Sequence, residues 1–297
     1  MRVLVTGGSG RLGRSVVAAL AARGHGVVSV DVAGAGHPPG VEGVVADLSD
    51  AGRRGEVFAA ARPEAVVHLA GIAVPFARPD VETLQVNAGL AWGVLGAAVE
   101  HGARVAVAAS SPTVYGYNTP GWRPRYLPLD EEHPVAPWHA YGLSKLVVEE
   151  AVRALARTSG GCVLCAVRPG YVVAPAEWAG APTQQGHTMA ERVADPELAG
   201  ASLFNYVDAG DAADLFARIV EEPGRAEHGG VYNAVAPDPL APGPVDALMA
   251  RLHPGSAPVA GALADGRAVF SSDKARRDLG WEPAASWRGL LRAERAG

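Results

Sequence analysis

The chain has 297 residues, 48% hydrophobic and 19% charged, with a formal net charge of −5, which allows one large or two modest domains with a real core. No long basic run is present, which argues against a nucleic-acid or anionic-membrane partner, and no apolar stretch reaches bilayer length. Residues 6–14 are too glycine-rich and polar for the apolar region of a secretory leader, so the expected location is the cytoplasm.

The chain opens on a short apolar run, residues 3–5, read as a buried strand. Glycines follow at Gly7, Gly10 and Gly13, enclosing Arg11 and Leu12, and residues 15–20 have helical apolar spacing. A strand, a glycine turn and a helix start form a cradle for a pyrophosphate on backbone N–H groups. A second strand, residues 26–30, ends in Asp31, an acid placed to bind adenosine ribose hydroxyls. Neutral residues follow it, which favours NAD over NADP. Arg11 is the counter-argument, since a cation in the glycine turn could reach a 2′-phosphate.

Further along come a strand at 44–46, a helix near 53–61, a strand at 65–69, a helix at 79–101 and a strand at 104–109. A polar, proline-rich loop then leads to a helix at 140–157 and a strand at 162–167. Such alternation predicts an α/β fold with a doubly wound parallel (Rossmann) sheet, ligands binding at the carboxyl edge of its strands. The pattern weakens after residue 170, although 207–222 reads as a strand end plus helix and 230–234 as a strand. We therefore expect a dinucleotide-binding domain over 1–170, with 206–235 returning to it. Residues 171–205 and 236–297 form a smaller substrate lobe.

Cys162 and Cys165 are three apart within an apolar strand pattern, where they face opposite sides. They read as buried, inert thiols rather than a redox or metal pair, and no cluster has metal-ligand spacing.

The chemical residues gather around residues 141–145. Tyr141 and Lys145 share a helix face, and Ser111 follows a strand at the sheet edge where a nicotinamide would arrive. Hydride transfer at carbon needs a proton moved on oxygen. A free tyrosine, with a pKa near 10, is a poor base. A neighbouring ammonium and an oxidised nicotinamide ring both favour the phenolate, and a drop of about three units, on the order of 4 kcal/mol, would make the tyrosine useful as acid or base. Ser111 would hold the same oxygen. Lys145 would support the phenol and bind the cofactor ribose.

These motifs together resemble the extended short-chain dehydrogenase/reductase family, the NAD-dependent epimerase/dehydratase group, over nearly the whole chain. Residues 6–13 match its T-G-x-x-G-x-x-G, and 110–116 is similar to its S-S-x-x-V-Y-G. Tyr141 and Lys145 match its Y-x-x-x-K. The resemblance implies cofactor contacts at Asp47 and Leu48, at Ala70 and Gly71 of the segment after His68, and at the helix-embedded Asn87. Arg168, at the end of the last strand of the first domain, is counted with the cofactor-binding residues.

The chain also departs from that family. Tyr171 stands where members acting on nucleotide sugars usually have Asn, and Phe204 where they carry the Arg that clamps a pyrophosphate. A phosphate clamp needs a cation. Pro112-Thr113 replaces the Asp-Glu of the sugar dehydratases. Trp122, Tyr126, Trp138 and Trp178 lie in loops expected over the cleft, either to pack a ring substrate or to close the lobe interface, and His139 reads as structural.

The expected activity is hydride transfer at a secondary alcohol or ketone of a sugar-like or cyclic small molecule lacking a nucleotide diphosphate. NAD is the expected cofactor, no metal is expected, and a homodimer is allowed. The alternatives are a sugar or nucleotide-sugar epimerase with tightly bound NAD, and a non-catalytic dinucleotide sensor.

Overall fold

The computed structural model describes residues 1–34 and 36–294. Nine strands run β1 (Arg2–Thr6), β2 (Gly26–Asp31), β3 (Glu42–Val45), β4 (Ala65–His68), β5 (Val105–Ala109), β6 (Val163–Pro169), β7 (Val172–Val173), β8 (Val207–Asp208) and β9 (Val231–Ala234). Seven form one sheet in the order β3-β2-β1-β4-β5-β6-β9, every pair parallel. The inner strands are apolar runs buried along their length, as a sheet covered on both faces requires. Strand order reverses between β1 and β4, so the loops leaving these strands diverge and open a crevice.

Helices α1 (Arg11–Ala22), α2 (Ala51–Ala61), α3 (Asp80–Glu100) and α4 (Ala140–Ala156) follow the alternation expected from the sequence. Phe58, Val94 and Val152 from α2, α3 and α4 build the core on one face of the sheet. Leu20 of α1 and Phe216 of a later helix build the other. Beyond β7 lie α5 (Pro175–Trp178), α6 (Met189–Ala194), α7 (Pro196–Gly200), α8 (Ala209–Glu221), α9 (Val245–Leu252), α10 (Ala257–Ala260), α11 (Asp273–Leu279) and α12 (Trp287–Glu294). No helix among the described residues is long and apolar enough to cross a membrane.

A third core, around Tyr115, Leu129, Phe204, Leu240 and Phe270, belongs to the small lobe. Its composition differs from the expected boundaries in two places. Residues 114–129, expected in the first domain, contribute Val114, Tyr115, Leu127 and Leu129 to the lobe. Ala275, Leu279 and Trp281 instead pack on the sheet face of α1 and α8. Trp281 is wholly buried there and donates its indole N–H to the Asp211 carbonyl at 3.0 Å. Residues 295–297 lie outside the described residues.

Cys162 and Cys165 are free and buried. Burial pushes their thiols up to about 11 and about 12, so both are protonated at neutral pH, as the strand reading expects.

Candidate active site

A single cleft of about 940 Å³ follows the carboxyl edge of the sheet. Its walls include Gly7, Gly10, Arg11, Leu12, Gly13, Asp31, Asp47, Leu48, Ala70, Gly71, Ser111, Tyr141 and Lys145. Residues scattered over the first half of the chain thus share one cavity. Asn87 and Arg168 do not line it.

The glycine turn is built for close approach. Gly7 has φ +72, and a Cβ there would lie 2.6 Å from the Ala70 nitrogen. A Cβ on Gly13 would lie 2.1 Å from the Gly7 carbonyl. The N-cap of α1, Gly10, provides no side-chain acceptor, and no acid occupies the first turn. The first-turn N–H groups of this helix therefore suit an anion. Asp31 lies at the end of β2, its two oxygens accepting from Ser9 N at 3.0 Å and Val32 N at 2.8 Å. Each oxygen keeps capacity for a ribose hydroxyl. Asp47 accepts from the Ser49 hydroxyl at 2.7 Å and the Ser49 amide at 2.9 Å, which hold its carboxyl below its usual range. A dinucleotide fits this set: a pyrophosphate on the glycine turn and α1, a ribose on Asp31, an adenine beside Asp47 and Leu48.

Arg11 lines the cleft, but its guanidinium faces the small lobe. It donates to the Val172 carbonyl at 2.9 Å and pairs with Glu177. A cation committed in this way is not available to a 2′-phosphate.

Behind the cradle, His68 is fully buried. Thr6 Oγ1 accepts from Ala70 N at 3.3 Å, which leaves its proton for His68 Nδ1 at 2.8 Å. Burial, aided by the nearby Lys145 charge, pushes His68 down to about 3. The ring is therefore a neutral strut between β1 and β4. Asn87 is a strut as well, which corrects the expectation of a cofactor contact. Its Oδ1 accepts from Ile72 N at 2.7 Å, and its Nδ2 donates to the Ile72 carbonyl at 3.1 Å and to Ser144 Oγ at 2.9 Å. Both its N–H donors and one acceptor site of its oxygen hold the loop after β4 against α4.

Arg168 also departs from expectation. It is 1% exposed and forms a bidentate pair with wholly buried Glu149, at 2.7 and 2.8 Å. A third N–H reaches the Tyr115 hydroxyl at 2.7 Å. This cation ties β6 to α4 and to the small lobe, and is not available to a cofactor.

At the chemical end, Ser111 sits two residues beyond β5, with Tyr141 and Lys145 on the first turns of α4. His139 caps that helix, its Nδ1 accepting from Gly142 N at 3.0 Å, which explains its position without any proton relay. Ser111 Oγ accepts from the Thr113 hydroxyl at 3.1 Å and the Thr113 amide at 3.3 Å, and Ser111 pulls the Tyr141 phenol downward. Lys145 donates to the Ala109 carbonyl at 3.0 Å, and its Nζ lies 5.8 Å from the Tyr141 ring centre.

The ammonium by itself does not lower the tyrosine in this arrangement. Burial raises Tyr141 to about 12 against the pull of Ser111 and lowers Lys145 to about 8. Desolvation penalises both charged forms and outweighs an ammonium already shared with a carbonyl. Tyr141 is thus a protonated phenol able to donate to a substrate oxygen, and Lys145 retains its proton at neutral pH.

Of the aromatic residues expected over the cleft, only Trp138 lines it. Trp122 and Trp178 turn their indole N–H groups to the Tyr115 carbonyl at 3.2 Å and to Asp208 at 2.8 Å, and Tyr126 bonds Asp130. Phe76, missed in the sequence, joins Trp138 at the lip with ring centres 6.1 Å apart. Its only sequence signal is its place in the loop after His68. Tyr171 lines the cleft, whereas Phe204 is wholly buried in the lobe core. Gln184, Gln185, Ser202 and Asn205 complete the small-lobe wall; nothing in their local sequence marks them.

Comparison with known proteins agrees with this geometry. The UDP-glucose 4-epimerase of Azospirillum brasilense is 35% identical over 159 residues, 51% of this chain and 44% of that protein. The chain thus spans about half the length of the curated relatives it matches. A short-chain dehydrogenase/reductase superfamily protein from Agrobacterium tumefaciens, solved with bound NAD, superposes with a TM-score of 0.72 at 26% identity, over 99% of this chain and 96% of that one. The UDP-glucose 4-epimerase of Thermotoga maritima, solved with UDP-glucose, shares the fold at 22% identity and a TM-score of 0.74, over 99% and 98% of the two chains. A profile of the NAD dependent epimerase/dehydratase family matches residues 3–234, from the first strand of the sheet to the last. The chain belongs to the NAD-dependent epimerase/dehydratase family.

Proposed function

We propose that this chain is an NAD-dependent oxidoreductase acting at a secondary alcohol or ketone of a sugar-like or cyclic metabolite without a nucleotide diphosphate. NAD, when bound, supplies the acceptor or donor of hydride. Tyr141 moves the proton at the substrate oxygen, Ser111 orients that oxygen, and Lys145 holds its charge beside both. Burial of the trio keeps competing water away from the phenol.

The observation that carries the reading is the fate of the clamp position. Phe204 lies 0% exposed in an apolar core. Arg11 and Lys145 are the only Lys or Arg in the described cleft wall, and both are engaged elsewhere. Epimerisation needs a keto intermediate to stay bound while it turns over, and a remote tether is where that binding energy comes from. Without one, the ketone leaves and the cofactor exchanges.

The names of the relatives favour a second reading, an epimerase that returns hydride to the opposite face. Absorbance of the reduced nicotinamide during turnover separates the two. The proposal expects net NADH formation in step with product. Product formation without net NADH would overturn it and promote the epimerase.

A further inference from the structure

Among the described residues two arginines are fully buried, and they differ in one respect. Arg168 has its carboxylate, Glu149. Arg192, on α6, is 1% exposed and has no carboxylate at ion-pairing distance among the described residues. One of its N–H groups donates to the amide oxygen of Gln185 and another to Ser202 Oγ at 3.3 Å. Its guanidinium lies 4.3 Å from the Tyr171 ring centre. A buried guanidinium whose direct acceptors are neutral is costly: burial lowers Arg192 from its usual range, and Glu177, already paired with Arg11, offsets this only through space.

The surroundings are unsatisfied in the same way. The buried side-chain atoms without a hydrogen-bond partner among the described residues are six, and four of them belong to Tyr171, Glu177, Thr183 and Arg192. Native interiors leave few such groups, and a concentration in one place needs an explanation. Tyr171, Gln185 and Ser202 all line the cleft that holds Tyr141 and Lys145. Arg192 itself is not in that wall but lies directly behind it, against Gln185, Ser202 and Tyr171.

We propose that Arg192, approached past Gln185 with Ser202 and the Tyr171 hydroxyl alongside, is the binding subsite for a carboxylate of the substrate. The substrate is thus an acidic one, a sugar acid or cyclic hydroxy acid. This deepens the oxidoreductase reading and rests on it. The Gln185 amide oxygen occupies an acceptor position that a carboxylate fills better, since charge-assisted hydrogen bonds are about twice as strong as neutral ones. The charge count favours a monoanion. At the small-lobe end of the cleft Arg11 and Glu177 cancel as a pair, which leaves Arg192 as the uncompensated charge there, apart from Lys145 at the chemical end; a single carboxylate neutralises it and a diphosphate would exceed it.

The test is binding to the NAD-saturated protein, read by calorimetry, with three probes: a hexuronate, its parent hexose and UDP. The wild type should bind the hexuronate about thirtyfold more tightly than the hexose, the scale of a charge-assisted pair. Gln185→Glu places a carboxylate on the guanidinium from within. It should abolish that preference, raise the thermal midpoint and leave NAD affinity unchanged. Tyr171→Phe should weaken the hexuronate several-fold and the hexose little. Equal binding of hexuronate and hexose by the wild type, or a preference surviving Gln185→Glu, would overturn the subsite. UDP binding more tightly than the hexuronate, and lost in Gln185→Glu, would overturn the monocarboxylate assignment. Net NADH formation is measured separately. Its absence with the acid preference intact refutes the oxidoreductase reading alone.

Discussion

Exchanging Asp31 for asparagine tests the adenosine end of the cleft. In the wild type both carboxylate oxygens are fixed by backbone N–H groups, at 3.0 and 2.8 Å, so the charge cannot swing away from an arriving 2′-phosphate. That phosphate carries about −1.5 to −2 at neutral pH. Two unit charges roughly 4 Å apart at an effective dielectric of about 20 repel by about 4 kcal/mol. Asp31 is half-buried, and solvent and salt screen part of this. A surviving penalty of about 3 kcal/mol corresponds to a preference for NAD of roughly two orders of magnitude. Arg11 offers no relief, because its guanidinium is committed to Glu177 and the Val172 carbonyl. Asp31→Asn should strengthen NADP binding by about a hundredfold, as the repulsion vanishes. It should weaken NAD about tenfold, the loss of one charge-assisted hydrogen bond. Titration of both oxidised cofactors by calorimetry gives the ratio directly. Equal affinities in the wild type, or an unchanged ratio in Asp31→Asn, would refute the argument. Arg14, whose Nε donates to the Ser9 carbonyl at 2.9 Å, would then be the first cation to test.

Tyr141→Phe should lower turnover by about a hundredfold or more, the scale of lost acid–base catalysis, with cofactor affinity nearly unchanged; near-normal turnover would assign the proton to another group. Arg168→Met should cost about 3–5 kcal/mol in urea denaturation by stranding the buried Glu149 charge, while Arg168→Met with Glu149→Leu should recover most of it; additive losses would show that the pair does not act as a unit. His68 titrates at about 3 in the fold against 6.5 free, so the unfolded chain binds the extra proton between those values. Stability should be complete above pH ~6.5 and fall, by on the order of 5 kcal/mol, as pH drops toward about 3. In His68→Gln that slope should flatten, and parallel pH curves for variant and wild type would contradict the assignment.

The elements of the sheet half were legible because their signals are local. Alternation of apolar runs, the positive φ of Gly7, the close contact of Gly13 with the Gly7 carbonyl, and the four-residue spacing of Tyr141 and Lys145 are each written within one turn or one strand, and the fold keeps them. Family motifs carried the same information to Asp47, Leu48, Ala70 and Gly71, all on the cleft wall. The motifs misassigned Asn87 and Arg168, since a motif says that a residue matters and not what it touches. Their partners, Ile72 and Ser144 for one and Glu149 and Tyr115 for the other, are brought in from separate elements. The ammonium's share in the tyrosine's protonation was not legible for a related reason. Sequence shows the ammonium four residues away, whereas only the packed structure shows that Ala109 already shares it and that burial dominates. The small lobe was least legible. Its core is assembled from residues 114–129, 173–206 and 235–270, so no single stretch carries a complete periodic face. From its own residues the sequence determined the sheet, the dinucleotide cradle and the placing of Ser111, Tyr141 and Lys145 in one cleft, the trio proposed to act on substrate. Which buried charges are paired, and that Arg192 is buried without a carboxylate beside the cleft, was decided only by tertiary structure, because desolvation and pairing depend on what lies across from a residue rather than on its neighbours along the chain.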